Sequence, residues 1–300
     1  MPPDTSLANL PDGLSVDVED YFHVEAFADR ITPENWQNFP PRVVGNTRRV
    51  LDLFGRAGVK GTFFILGWVA DREPGLVREI VDAGHEVGCH SYWHRRLWHM
   101  TPAEFRADTR RALDVIQDAC GRKVVGYRAP TFSLVRKSLW AVEILAEEGF
   151  VYDSSVFPIH HDLYGMPEAP RFPFCWKPAS GITLFEIPMT TVRILGWNFP
   201  LGGGGYLRIM PMCYTRWGLA RIRSREGQGA VVYFHPWELD PEQPHLEGRW
   251  RSRFRHYINL KSMEDRLSDL LSHAALVPLY DFLQAHLAQG PLPPYSLESA

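Results

Sequence analysis

Gly61-Thr62-Phe63-Phe64-Ile65-Leu66 reads as a buried strand. It is followed by a helix-spaced stretch from Pro74 to Ala83, a stop at Gly84, and a second short strand from Glu86 to Cys89. A buried strand that returns after one helix makes a parallel crossover. The same unit repeats outward in both directions. Upstream, Leu14-Ser15-Val16-Asp17-Val18 is a short strand ending in acids, and Asn46 to Ala57 spaces Val50, Leu51, Leu53 and Phe54 as a helix stopped by Gly58. Downstream, Thr101-Pro102-Ala103-Glu104 has the form of a capping box and opens a helix running to about Cys120. Val124 to Tyr127 is a strand, Ser138 to Glu148 a helix, and Phe150 to Tyr152 a strand again. Alternation at this spacing predicts an α/β chain with a parallel sheet or barrel, whose chemistry collects at the carboxyl ends of the strands.

The second half is less regular. Residues 158–182, rich in Pro and aromatics, read as a long loop, and Ala230 to Phe234 as one more buried strand. Gly202-Gly203-Gly204-Gly205 marks a place where the backbone bends sharply or approaches something closely. It has neither GxGxxG spacing nor a following Lys, which rules out a phosphate loop. The tail from Gly290 to Ala300 is expected to be disordered.

Bulk properties exclude several classes. The 300 residues carry a net charge of −3, from 32 basic and 35 acidic side chains, which gives no electrostatic footprint for nucleic acid or an anionic membrane. Cys89, Cys120, Cys175 and Cys213 form no CxxC pair, which suits a reducing compartment and a metal site built from other ligands. Met1 to Asp12 has no basic and apolar leader pattern, and no run reaches the length of a spanning helix. The expectation is a cytoplasmic protein, with the inner membrane face as a further option. The run from Arg249 to Arg255 is expected to form a solvated helix face.

Four polar clusters fall where strands end. Asp17-Val18-Glu19-Asp20 packs three carboxylates into four residues, which need a cation or full solvation. His90-Ser91-Tyr92-Trp93-His94 spaces two imidazoles four apart; on a helical turn both would point to one side and grip one metal. One carboxylate and two His form a facial ligand set that leaves positions open. Arg128, in Tyr127-Arg128-Ala129-Pro130, can pair with a carboxylate, and His235, after Tyr233-Phe234, can serve as a general acid. Trp93, Trp197 and Trp237 are candidates for stacking on a sugar ring, with core packing the default.

Together these clusters resemble the NodB-type polysaccharide deacetylases, carbohydrate esterase family four, from about Leu14 to Trp237. Gly61-Thr62-Phe63-Phe64 and Ala83-Gly84-His85-Glu86-Val87-Gly88 look like family strands. More narrowly, several stretches are similar to the exosortase-locus (PEP-CTERM) branch: Asp17-Val18-Glu19-Asp20-Tyr21-Phe22, Tyr152-Asp153-Ser154-Ser155-Val156-Phe157-Pro158, the four-glycine run, Phe234-His235-Pro236-Trp237-Glu238, and Phe254-Arg255-His256-Tyr257-Ile258-Asn259-Leu260.

The resemblance implies a distorted (β/α) barrel over residues 1–238 with an irregular insertion at about 158–210. Residues 239–300 would be a C-terminal extension packed on the barrel. The resemblance also implies removal of N-acetyl groups from a polysaccharide or oligosaccharide of exopolysaccharide type, in association with export machinery. His90 and His94 would hold a divalent metal with Glu19 or else Asp20, Glu19 being preferred. Asp17 matches the family's base, Arg128 the residue orienting it, His235 the acid, and Asp153 a residue orienting His235. Zn2+ is the first choice of metal, with Co2+, Ni2+ or Fe2+ as alternatives. Other readings are a hydrolase of small C–N bonds on the same scaffold and a glycan-binding protein without catalysis. Ser91 stands where relatives have Gly, a change without consequence if that backbone keeps negative φ.

Overall fold

A computed structural model describes residues 10–161 and 163–296. The crossover units of the first half are β1 (Asp12–Val18), α1 (Val43–Ala57), β2 (Thr62–Ile65), α2 (Gly67–Arg72), α3 (Pro74–Asp82), β3 (Glu86–Cys89), α4 (Pro102–Cys120), β4 (Gly126–Tyr127), α5 (Trp140–Glu147) and β5 (Tyr152–Asp153). Gly58 and Gly121 end α1 and α4 in the left-handed conformation, as glycine permits. At the start of α4 the Thr101–Glu104 capping box is formed. The second half adds β6 (Phe174–Trp176), β7 (Leu184–Glu186), the hairpin of β8 (Thr191–Ile194) and β9 (Trp197–Pro200), α6 (Gly204–Ile209), α7 (Met212–Arg221) and β10 (Val231–Phe234). It ends with α8 (Trp250–Tyr257), α9 (Met263–His273), β11 (Leu276–Val277), α10 (Leu279–Leu287) and β12 (Pro294–Tyr295).

The main sheet runs β10-β1-β2-β3-β4-β5-β7-β6-β12, parallel except for the β6–β7 pair, with β11 alongside the start of β1. This is the expected distorted (β/α) barrel. Leu14, Val16 and Val18 join the large apolar cluster that includes residues of α1, while Ser15 and Asp17 alternate to the other face of β1. A second cluster fills the barrel interior, joining Phe64, Tyr152, Val231 and Tyr233 from the strands with Phe132 and Phe157.

Two corrections concern the second half. The stretch 158–182 is not all loop, because Phe174–Trp176 forms a strand against β7. Nor is residue 290 the start of a disordered tail: Pro294–Tyr295 pairs with β6, and residues 297–300 lie outside the described residues. Strands of two or three residues in Pro-rich sequence are too short to show an alternation.

The glycine run explains how the barrel closes beside β10. Tyr233 donates its N–H to Gly202 O at 2.8 Å, and Gly203 bridges Tyr233. A Cβ on Gly202 would stand 2.1 Å from Val231 O, and one on Gly203 2.1 Å from Tyr233 O. The close approach expected of this run is therefore to β10. At the opposite end, Leu279, Phe282 and Leu283 of α10 plug the interior, and Leu279 N–H donates to Thr62 Oγ1 at 2.7 Å. The C-terminal segment is thus part of the barrel's packing and of its sheet.

Candidate functional site

Asp17 lies near the end of β1 with Glu19 just beyond it, His90 follows β3, Arg128 follows β4, and His235 follows β10. Five side chains from four strand ends therefore meet at the carboxyl rim of the parallel strands. All but Arg128 line a cavity of about 890 Å3, together with His94.

Arg128 is fully buried. Its Nη1 donates to Asp17 Oδ1 at 2.7 Å and to Ser15 Oγ at 2.9 Å, while its other nitrogens donate to Ser154 O and Ser154 Oγ. Its guanidinium also lies 4.3 Å from the centre of the Phe64 ring. The arginine fixes one oxygen of Asp17, and Oδ2 is the oxygen nearer His235, 3.9 Å from its Nε2.

Glu19, His90 and His94 offer ligand atoms within 4.8 Å of one another. His90 Nδ1 is 2.8 Å from Arg128 O, so this nitrogen carries the proton and Nε2 keeps its lone pair. Burial holds His90 low, at about 4, in the neutral form a metal needs. Burial opposes the charge on Glu19, but His94, His235 and His90 around it hold the carboxyl well below the usual range. Glu19 Oε2 is 2.8 Å from His94 Nε2, yet no donor is aligned on this buried oxygen. An orphaned carboxylate oxygen beside two imidazoles is a donor set that fits a divalent ion.

The imidazole pair is not on a helical turn, as its spacing predicts. Residues 90–94 form a loop in which Ser91 has φ 60° and His94 φ 52°, and His94 N–H donates to Ser91 Oγ at 3.1 Å. The condition of negative φ at Ser91 is therefore not met: this position takes the conformation glycine prefers. Asp108 holds the loop instead, accepting the N–H groups of Tyr92 and Trp93 at 2.8 and 3.2 Å.

Asp20 is turned to a different task. Its carboxylate accepts the N–H groups of Tyr21, Arg42 and Val43 at 2.9, 2.7 and 2.9 Å, the last two at the start of α1. A carboxylate at a helix N-terminus satisfies donors that have no partner within the helix. Asp20 is thus engaged away from the imidazole pair, and the candidate cluster is Glu19, His90 and His94.

Asp153 does not orient His235. It faces Glu186 across the β5–β7 pair and accepts Ser155 Oγ at 2.5 Å. Burial pushes Asp153 up to about 6, and burial with the Asp153 charge pushes Glu186 well above its ordinary value.

The residue beside His235 is Glu238, to which the sequence reading assigned no role. Its Oε1 is 2.8 Å from His235 Nδ1 and also accepts the His235 backbone N–H at 3.0 Å. Its Oε2 accepts Nε of the buried Arg208 at 2.6 Å, and Arg208 Nη1 reaches the carbonyls of Arg255, His256 and Ile258. Trp237, buried as the default reading has it, stacks on His235 at 5.3 Å and on His256 at 4.3 Å. Burial opposes charge on His235, but the Glu238 hydrogen bond and the Glu19 and Asp17 charges bring it up to about 9. The His-x-x-Glu spacing was the available signal, since it places an acid one turn beyond a strand-end histidine.

Comparison with known proteins finds two family models along the chain. Residues 36–147 match the polysaccharide deacetylase family model. Residues 154–283 match a domain of unknown function, DUF3473. The peptidoglycan deacetylase of Helicobacter pylori is 33% identical over 114 residues, which cover 38% of this chain and 37% of that protein. A peptidoglycan-N-acetylglucosamine deacetylase of Bacillus cereus is 31% identical over 98 residues, covering 32% and 36%. The chain thus spans little more than a third of the length of these curated relatives. Among solved structures, a Mycobacterium smegmatis protein assigned by name to the polysaccharide deacetylases aligns with a TM-score of 0.63 at 22% identity, covering 97% of this chain and 95% of that one. The stretch similar to the polysaccharide deacetylase model contains His90, His94 and Arg128, whereas His235, Glu238 and Arg208 stand in the stretch that matches the domain of unknown function.

Proposed function

We propose that the cavity hydrolyses the N-acetyl amide of a glycan, releasing acetate and a free amino sugar, with Glu19, His90 and His94 holding one divalent ion. The carrying observation is the approach of His235 Nε2 to within 3.4 Å of Glu19 Oε1 and 3.9 Å of Asp17 Oδ2, so that base, ligand and acid surround one point. Zn2+ suits two imidazoles and a carboxylate, and Co2+, Ni2+ or Fe2+ suits the same donors. When bound, the ion supplies Lewis acidity that polarises a carbonyl and acidifies water.

The chain's own residues do the rest. An amide is a weak electrophile with a poor leaving group, so a proton must be removed at one end and delivered at the other. Asp17 Oδ2 takes the proton of the attacking water while Arg128, itself steadied by Ser15, pins the partner oxygen. His235 delivers a proton from Nε2 to the departing nitrogen, and Glu238 holds Nδ1 so that Nε2 faces the cavity. The names of the curated relatives support an N-acetylated glycan as the substrate class. Service to an exopolysaccharide of an exosortase locus rests on the motif likeness of the Asp17–Phe22 and Phe254–Leu260 stretches.

The test is acetate release from N-acetylglucosamine oligomers by metal-loaded protein, before and after chelation. Release that stops with chelator and returns with added ion supports the proposal. No release from oligomers or from N-acetylated bacterial glycans would sink it.

A further inference from the structure

The rim of the cavity carries a pattern that the chemistry on its floor does not use. Arg249, Arg251, Arg253 and Arg255 are all exposed and alternate through a stretch of seven residues with no acid among them. Trp250 and Phe254, four apart on α8, are 73% and 56% exposed. The guanidinium of Arg251 lies 5.5 Å from the Trp250 ring. Arg249, Ser252 and Arg255 line the cavity, which leaves Trp250, Arg251, Arg253 and Phe254 on the part of α8 that does not. Among the described residues Arg251, Arg253 and Arg255 have no ion-pair partner, and Arg249 has only the exposed Asp29 at 3.6 Å.

A second patch continues the rim. His160 lines both the main cavity and an adjoining hollow of about 530 Å3 bordered by Trp197 of the β8–β9 hairpin. Trp197 is 60% exposed, and Leu195 at the hairpin turn is 96% exposed. Large exposed apolar side chains flanking two adjoining hollows mark an interaction surface, because water is a poor solvent for them.

We propose that this rim docks on an anionic phospholipid bilayer. Trp250 and Phe254 enter the boundary between headgroups and acyl chains, and the arginines pair with lipid phosphates. Indole has an apolar body with one polar edge, which suits the headgroup level, and guanidinium matches a phosphate in a bidentate fashion. With a net charge of −3 the whole chain is not drawn to an anionic surface, so the local arginine cluster sets the direction of approach. Neither hollow is lined by Trp250 or Phe254, which therefore stand as protrusions and not as a groove for a sugar ring. Docking in this pose brings the cavity mouth to the membrane surface. The inference does not depend on the reaction inside the cavity.

The test is flotation of the full chain with vesicles of phosphatidylcholine alone or mixed with phosphatidylglycerol, at low and high salt. The wild-type chain is expected to float with the mixed vesicles, less so at high salt and weakly with the neutral ones. The double variants Trp250→Ala/Phe254→Ala and Arg251→Glu/Arg253→Glu are each expected to lower the bound fraction at least about tenfold while keeping the wild-type circular dichroism. Failure of the wild-type chain to float, or equal flotation of both folded double variants, overturns the proposal. So does an outcome in which the variants lose binding to soluble alginate but not to vesicles, since the face would then read an anionic glycan.

Discussion

Glu238 Oε1 stands 2.8 Å from His235 Nδ1, and the same carboxylate is held from behind by Arg208. Arg208 also gathers the carbonyls at residues 255, 256 and 258, so the end of α8 and the strand-end histidine share one buried anchor. Glu238→Gln keeps the shape of this side chain and removes its charge. The expected result is a fall in kcat of about 100-fold with KM and bound metal little changed, as suits loss of help to a general acid. Steady-state kinetics with metal analysis checks it. A rate near wild type would mean that Glu238 is only a packing residue.

Asp153 and Glu186 make a different prediction. Both are raised above their ordinary values, chiefly by burial, Asp153 to about 6 and Glu186 further. A group raised in the folded state binds its proton more tightly there than in the unfolded chain. Its contribution is complete below the ordinary carboxylate range and is lost as pH rises through the folded values. Stability should therefore decline from about pH 4 to about pH 6 as Asp153 titrates, and continue downward above that with Glu186, and Asp153→Asn should flatten that decline. Urea unfolding at the two pH values measures it. Unchanged acetate release by Asp153→Asn would agree with its removal from the site; a loss of turnover with folding intact would restore it.

The plug at the bottom of the barrel is tested by Phe282→Ala. This ring is 1% exposed and lies 3.4 Å from where a Cβ on Gly13 would stand. Truncation leaves a cavity that strands β1 and β10 have little freedom to fill, at a cost of about 3–5 kcal/mol. Urea unfolding should show the loss. A change below about 1 kcal/mol would mean that α10 is peripheral to the barrel.

What the sequence disclosed follows from which signals are local. The crossover units of residues 12–153 were legible because period, capping boxes and stop glycines lie within each element. The HxxxH spacing located a pair of facing imidazoles but not their backbone, since Ser91 and His94 reach the same side through left-handed residues as a helical turn would. Glu19 and Asp20 could not be separated because the distinction is tertiary: Asp20 accepts N–H groups at residues 42 and 43, over twenty residues downstream. The partner of His235 was misplaced for a related reason. Asp153 matched a family position, while the acid in contact was three residues beyond the histidine itself.

The central claim is that Glu19, His90 and His94 converge on one cation, and counting divalent ions bound per chain tests it most directly. After loading and desalting, the wild-type chain and Asp17→Asn should each retain about one ion. Glu19→Gln, His90→Ala and His94→Ala should retain almost none while staying folded. An ion kept at full occupancy in folded Glu19→Gln, or in both histidine variants, would contradict the account.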